Sequence, residues 1–373
     1  MRVAIVHNHP IHYKHLLFQE LTHSRLDFEV LFLASQSTVR HEVIPLSPEL
    51  YKFKIGYQGS YESAPAHTRV RFIWNSLRKS KPNVVVISGY YAVECWIAWI
   101  WARLNRRRAI LWFESNEFDY PRSFPKESLK RLFLSACHSA HVYGTSNKNY
   151  LAKLGMRPER IHVKRAVVDV DRFSAGAHDK VYSQGPTKHL VYVGRLAPEK
   201  NVSMLLRCLS EAAKTRKNIG LNLSIIGTGP LEQELRAQCV TLGLQEVVAF
   251  KGYCPQKSLG SMLKTADFFV LPSTREPWGL VALEAMLCRI PVLVSTQCGC
   301  AEDVVTKETG WKFSPWNDNE LKDLFLKLPD MTTEEIATMG SAAHELAAHY
   351  SPSECAKRVA TSILECAEHV SYA

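Results

Sequence analysis

From residue 2 onward, short apolar runs alternate with longer stretches in which hydrophobic positions recur at helical spacing. Arg2–His7 reads as a buried strand, and His15–His23 as the helix after it. Phe28–Ala34 is a second strand. Asn83–Ser88, bounded by Pro82 and Gly89, is a third, followed by a helix from about Ala92 to Asn105 and a strand over Ala109–Phe113. The pattern then predicts a helix over 126–138, a strand over His141–Gly144, and a helix over Lys148–Leu154 that stops at Gly155. Runs of Val and Ile without polar alternation mark strands buried on both faces, the condition of a parallel sheet under two helical layers.

Between about Ala166 and Thr187 the pattern lapses into a polar, glycine-containing stretch, and a second series begins after it. Its strands are His189–Val193, Leu221–Ile226, Val247–Lys251, Phe268–Leu271 and Pro291–Ser295. Helices start near Val202, Leu231, Ser258, Gly279 and Glu302. The predicted class is α/β: two facing doubly wound domains, with residues 1–165 in the first, 166–187 as linker, 188–350 in the second, and a last helix within 351–373.

Composition narrows the class. With 46% hydrophobic and 22% charged residues over 373 positions, the chain has enough apolar material for two cores. No apolar run approaches the roughly 20 residues of a membrane span, and the first residues are too short a run for a secretory segment, so the expected location is the cytoplasm. Ten cysteines are dispersed without a Cys-x-x-Cys pair; Cys298 and Cys300, flanking Gly299, stand as free thiols in a tight loop or as a reactive or metal-binding pair. The net charge of +10 is concentrated in residues 1–180, with 27 basic against 15 acidic side chains. That surface suits an anionic or membrane-associated partner. No nucleic-acid-binding motif accompanies it, so nucleic acid is not an expected partner.

Ligands of doubly wound sheets gather at the carboxyl ends of strands. There the second domain offers Gly194-Arg195-Leu196-Ala197-Pro198-Glu199-Lys200, then Gly227-Thr228-Gly229-Pro230, then Ser273–Glu284, then Cys298–Glu302. Arg195 and Lys200 put two cations on one loop. Glu276 and Glu284 lie across a loop that opens a helix, beside the backbone N–H groups of Trp278, Gly279 and Leu280. A helix start attracts phosphate, and carboxylates suit sugar or ribose hydroxyls. A nucleotide sugar carries both.

This ordered set resembles the retaining glycosyltransferases of family 4, which have the GT-B fold. The resemblance runs from Val193–Asn201 through Ile226–Pro230, Phe250–Gly252, Ala266-Asp267 and Pro272-Ser273 to Glu276-Pro-Trp-Gly279, Glu284-Ala-Met286, Gly310 and Pro315. It is close over about 188–316 and topological before that, apart from Val168–Phe173. It implies a metal-independent transfer, with no cofactor, of a sugar from a nucleoside-diphosphate sugar onto an acceptor held between the domains, and a last helix, Ser353–Val370, that crosses back to the first domain. Arg195 and Lys200 would neutralise the diphosphate. Glu276 would hold the donor sugar and Glu284 the ribose. Backbone at Gly252 and Cys254 would face the base, and Gly194, Gly227, Gly279 and Leu280 would bring backbone close to the donor.

Two positions depart from the family. Its N-domain His is matched by Glu114, which stands either as a group touching a sugar or acceptor, or as a structural helix-start residue. Its N-terminal glycine pair is replaced by His9-Pro10-Ile11-His12-Tyr13, where His12 either meets an acceptor or packs. The acceptor, whether glycan, lipid-linked glycan or small molecule, stays open. Trp96–Arg108 reads as a sheet-covering helix with a charged tail or as a peripheral membrane contact. Two other activities fit the same residues: nucleotide-sugar binding without transfer, and epimerisation.

Overall fold

The computed structural model describes residues 1–38, 44–119, 122–216 and 218–368. The chain divides into two units, one of Met1–Val167 with the helix Pro352–Glu368, the other of Val168–Ser351.

The first unit is built on seven parallel strands: β1 (Arg2–His7), β2 (Asp27–Phe32), β3 (Phe53–Ile55), β4 (Val84–Ser88), β5 (Arg108–Phe113), β6 (Ser139–Val142) and β7 (Ile161–Val163), in the order β3-β2-β1-β4-β5-β6-β7. Register sets Val3 beside both Phe28 and Val84. Alternate side chains then leave the sheet on opposite faces. Val3 and Ile5 pack with Leu17, Phe18, Val359 and Ile363, whereas Ala4 and Val6 join Leu77, Ala98, Trp101 and Phe133. Burial on both faces is why these strands carry no polar alternation. Truncating Ile5 to Ala would cost about 2–5 kcal/mol. The C-terminal helix Pro352–Glu368 supplies part of the first core, and Ser362 Oγ lies 2.7 Å from His141 Nε2 beneath β6.

The second unit has six parallel strands: β8 (Lys188–Val193), β9 (Leu221–Ile226), β10 (Val248–Gly252), β11 (Phe268–Leu271), β12 (Val292–Ser295) and β13 (Gly310–Phe313), ordered β10-β9-β8-β11-β12-β13. In each unit the strand order reverses once, between β1 and β4 and between β8 and β11, which creates a crevice at the carboxyl edge.

The stretch 166–187, expected as a linker, runs into the second unit. Asp169 caps a short helix, Val170–Ser174, by accepting from the Arg172 N–H at 3.2 Å, and Phe173 is fully buried. Asp267 accepts from the N–H groups of Ser183 and His189 at 2.8 and 2.7 Å. Polar residues that read as a solvated tether are caps and buried ties. The strands β3, β7 and β13 and the helix Ala66–Ser80 have no counterpart in the pattern above. β3 and β7 are three-residue edge strands, and the helix buries only Ile73, Ser76 and Leu77.

The tryptophan-rich helix Val93–Leu104 covers the sheet: Trp101 is buried, and Trp96 and Trp99 pack on Phe133 at ring distances of 4.9 and 5.8 Å. Among the described residues no helix is long and apolar enough to cross a membrane.

Candidate functional site

Loops at the carboxyl ends of the second sheet are fastened to one another by backbone hydrogen bonds. After β8 and β9, the Leu196 N–H donates to Thr228 O at 2.9 Å and the Leu231 N–H to Leu196 O at 3.0 Å. The chains approach so closely that a Cβ on Gly227, at φ +137°, would stand 1.9 Å from Gly194 O, and one on Gly229 2.4 Å from Leu196 O. Glycine is required at both positions by space, and at Gly227 by backbone conformation as well. Gly227 N–H donates in turn to Gly252 O at 2.7 Å, which draws the end of β10 into the same edge.

On the other side of the strand reversal, the loop after β11 is tied to the loop after β8. Thr274 N–H donates to Glu199 O at 2.9 Å, and Asn201 Nδ2 reaches Pro272 O and Pro315 O at 3.4 and 3.3 Å. Asn201, at φ +53°, turns the chain into the helix Val202–Thr215. The loop after β12 completes the set, since Gly299 N–H donates to Glu276 O and Cys300 N–H to Trp278 O, at 3.0 and 2.9 Å.

This framework brings Lys200 and Glu276, 76 residues apart, into a direct ion pair between Lys200 Nζ and Glu276 Oε2. Both side chains are largely buried, at 15% and 14% exposure. Arg195 stands at 65% exposure with its guanidinium on Glu199 Oε1 at 2.7 Å, and its carbonyl accepts from the Tyr192 hydroxyl at 2.9 Å. Burial pushes the Tyr192 phenol far above its usual range, so it remains a donor. Each cation thus holds a carboxylate that an incoming anion must share or displace.

Gly279, at φ +103°, is the residue before the helix Leu280–Leu287, and among the described residues the N–H groups of Gly279 and Leu280 donate to no backbone or side-chain acceptor. A helix start in this condition is electropositive. Glu284, one turn in, is half-buried. Trp278 is different: its side chain is 3% exposed and its ring lies 6.3 Å from that of Tyr350, so the indole is a core group and only its backbone belongs to the loop. Cys254 is half-buried with Sγ 3.4 Å from Pro255 O, next to Tyr253, whose ring is 72% exposed. Cys298 and Cys300 are buried, and burial raises both thiols well above the usual range. Protonated buried thiols do not make a reactive pair. Among the described residues no three His, Cys, Asp or Glu side chains converge as a metal ion would need.

In the first unit the carboxyl edge carries another charged cluster. Glu114, just after β5, accepts from Lys14 Nζ and, at 2.5 Å, from the Tyr143 hydroxyl. Asn147 Nδ2 donates to the carbonyls of Glu114 and Ser115 at 3.2 and 2.7 Å, which fixes the turn. Lys14 and Lys164 are each 1% exposed, and their ammonium groups lie 3.9 and 3.6 Å from the Trp112 ring centroid. Burial pushes the Glu114 carboxyl up, but Lys14 and Lys164 outweigh it and hold the group at about 2. Burial, reinforced by Lys14, pushes Lys164 well below the usual lysine range. One ionised carboxylate therefore faces two buried amines, and burial disfavours the charged form of Lys164. Glu114 keeps 38% exposure. His12 opens the helix His12–Leu21 and is half-buried.

Lys14, Tyr143 and Lys164 drew no notice in the sequence because a lone Lys or Tyr at a strand end or on a helix has no spacing that marks it. The signal available was positional, since Tyr143 and Lys164 each follow the last residue of a strand, as Glu114 does. Glu199, Asn201 and Thr274 lie in loops that the sequence does single out, but their part in tying those loops together shows only in the structure.

Residues 177–345 match the family described as Glycosyl transferases group 1. An uncharacterized glycosyltransferase of Methanocaldococcus jannaschii is 33% identical over 138 residues, 37% of this chain and 35% of that protein. The amylovoran biosynthesis glycosyltransferase AmsK of Erwinia amylovora is 27% identical over 234 residues, 60% of this chain and 52% of its own. The chain thus spans between about a third and a half of these curated relatives. Among solved structures, Anabaena HepE in complex with UDP superposes with a TM-score of 0.74 at 16% identity, over 98% of this chain and 99% of its own. The lipopolysaccharide outer core galactosyltransferase WaaB gives 0.74 at 15%, over 98% and 99%. The fold is GT-B, and the residues that the family model matches lie within the second unit.

Proposed function

We propose that the chain is a retaining, metal-independent glycosyltransferase of the family 4 type, taking a sugar from a nucleoside-diphosphate sugar. The observation that carries this reading is the Lys200–Glu276 pair, with Arg195 on the same loop as Lys200 and the helix start at Gly279 and Leu280 on the same loop as Glu276, the two loops flanking one strand reversal. Diphosphate oxygens take Arg195, Lys200 and the helix start. Glu276, released from Lys200, turns to sugar hydroxyls, while Glu284 takes the ribose. The base lies over Gly252 and Cys254, with the exposed ring of Tyr253 as a stacking surface.

The leaving diphosphate is an anion that gains charge as the glycosidic bond breaks. Cations already aimed at it need no proton from the protein and no reorganisation at the moment of reaction. That HepE was solved with UDP supports a nucleoside diphosphate as the product side of the donor. The acceptor, a glycan, lipid-linked glycan or small molecule, is assigned to the first unit, where Glu114, fixed as a carboxylate by Lys14, presents an acceptor atom for a hydroxyl.

The test is transfer and slow donor hydrolysis across a panel of nucleotide sugars, with Glu276→Ala and Arg195→Ala beside the unaltered protein. Turnover in the parent and loss of about 10²-fold or more in each variant is the expected result. Donor binding without transfer or hydrolysis would favour a binding protein, and interconversion of the donor alone would favour an epimerase.

A further inference from the structure

The helix Phe124–Ser135, between β5 and β6, carries more apolar side chains than it buries. Phe133 and Leu134 enter the core, and Glu127, on the inward side, is tied to Arg122 and Lys130 at 3.3 and 2.7 Å. On the outward side Phe124 and Leu132 stand two turns apart with Leu129 beside them, and the three are 83, 55 and 52% exposed. Lys126 and Arg131, both exposed, border this stripe on its two flanks. The neighbouring helix Val93–Leu104 widens the surface. Its Trp96 and Trp99 pack on Phe133 and are only half-buried, and Ile100, one turn beyond Trp96, is 37% exposed.

A single exposed leucine is ordinary, but here two adjacent helices both turn apolar side chains outward, and cations line the border. That is the pattern of a helix lying in a bilayer interface, with leucine and phenylalanine at the acyl boundary and lysine and arginine among the headgroups. Charge selects the occupant. Residues 1–180 hold 27 basic and 15 acidic side chains, so an anionic lipid surface meets both the apolar stripe and its cationic border. A second copy of this chain would match the leucines but would bring the same cations against one another. We infer that the outward face of Phe124–Ser135, continued by Ile100, is a docking surface for an anionic lipid bilayer. Leu129 and Leu132 are its apolar anchors, and Lys126 and Arg131 contact lipid phosphates.

The experiment is flotation of the full chain with vesicles of phosphatidylglycerol mixed into phosphatidylcholine, against phosphatidylcholine alone. The parent should float with the anionic vesicles, and Leu129→Gln with Leu132→Gln should lower the bound amount about tenfold or more. Both leucines are exposed, so folding is spared. Lys126→Gln with Arg131→Gln should also weaken binding, and should blunt the loss that the parent shows in about 1 M salt, where screening acts over about 3 Å. Val240→Gln removes an equally exposed apolar side chain, at 59%, from the helix Glu232–Thr241 of the second unit and should leave flotation unchanged. Failure of the parent to float, flotation unaltered by the leucine substitutions, or an equal loss in Val240→Gln would overturn the surface. Self-association that the leucine substitutions abolish, without vesicle binding, would overturn it in favour of a second copy.

Discussion

The two units place charge at the same edge of the same kind of sheet, yet they hold it by different means. In the second unit Lys200 and Glu276 ride on loops whose own backbones are hydrogen-bonded together, and the glycines exist because those backbones nearly touch. In the first, Lys14, Lys164 and Glu114 are held by side chains: aromatic faces of Trp112 and Tyr143, a phenolic hydroxyl, and burial. Backbone scaffolding leaves cations able to exchange a carboxylate for a ligand, whereas side-chain burial fixes charges against one another. The first arrangement suits binding and departure of an anion. The second suits a carboxylate that must stay ionised.

The comparison can be broken most forcefully at Lys200. Lys200→Ala should lower turnover by about 10²- to 10³-fold under the proposed function, in which it removes a cation aimed at developing charge. It also leaves the largely buried Glu276 carboxylate without its ion-pair partner, so a loss of about 1–3 kcal/mol is expected in denaturant titration. Full turnover in a folded Lys200→Ala would mean that the pair is only structural. Next in size is the glycine contact. Gly227→Ala must push Gly194 away, and a loss of about 3 kcal/mol or more is expected in denaturant titration. Gly243→Ala, also at positive φ but in open space, should cost only about 1–2 kcal/mol.

Smaller effects belong to the first unit. Lys14→Met leaves the Glu114 carboxylate without its direct partner and should destabilise by about 1–3 kcal/mol, the partial exposure of Glu114 moderating the loss. Lys164→Met removes a buried amine that burial already disfavours as a cation, so it should be neutral within about 1 kcal/mol or stabilising. Equal losses from the two substitutions would contradict the reading of Lys164 as the amine whose charge burial disfavours.

The mildest test is acid. His7 is held at about 3 and His138 at about 4, chiefly by burial, against an ordinary 6.5. An unfolded chain takes up those protons below about 6.5 and the folded one does not until lower pH. Their contribution to stability is therefore present above about 6.5 and is lost as pH falls toward 4 and then 3. Hydrogen exchange at pH 7.5 and 5 should show β1, β5 and β6 losing protection; unchanged protection there would contradict the assignment of neutral buried imidazoles.

Much of the fold was legible because doubly wound strands are apolar throughout, and the boundaries of Arg2–His7, Leu221–Ile226 and Phe268–Leu271 are those that the pattern predicts. Short edge strands such as β3 and β7 escaped because three half-buried residues make no pattern, and the stretch after Ala166 misled because Asp169 and Ser183 are polar in composition but structural in use. The candidate donor loops were legible for a physical reason. Close backbone approach demands glycine, and glycines recur at strand ends where a reader can find them. The cluster around Glu114 was not, because Lys14, Tyr143 and Lys164 meet only through tertiary packing.

The central claim is that Arg195 and Lys200 bind the diphosphate of a nucleotide. Calorimetric titration of UDP and other nucleoside diphosphates into the parent chain, Lys200→Ala and Glu114→Gln tests it most directly. The account predicts saturable binding in the parent, a loss of tenfold or more in Lys200→Ala, and little change in Glu114→Gln. Binding that survives intact in Lys200→Ala would contradict it.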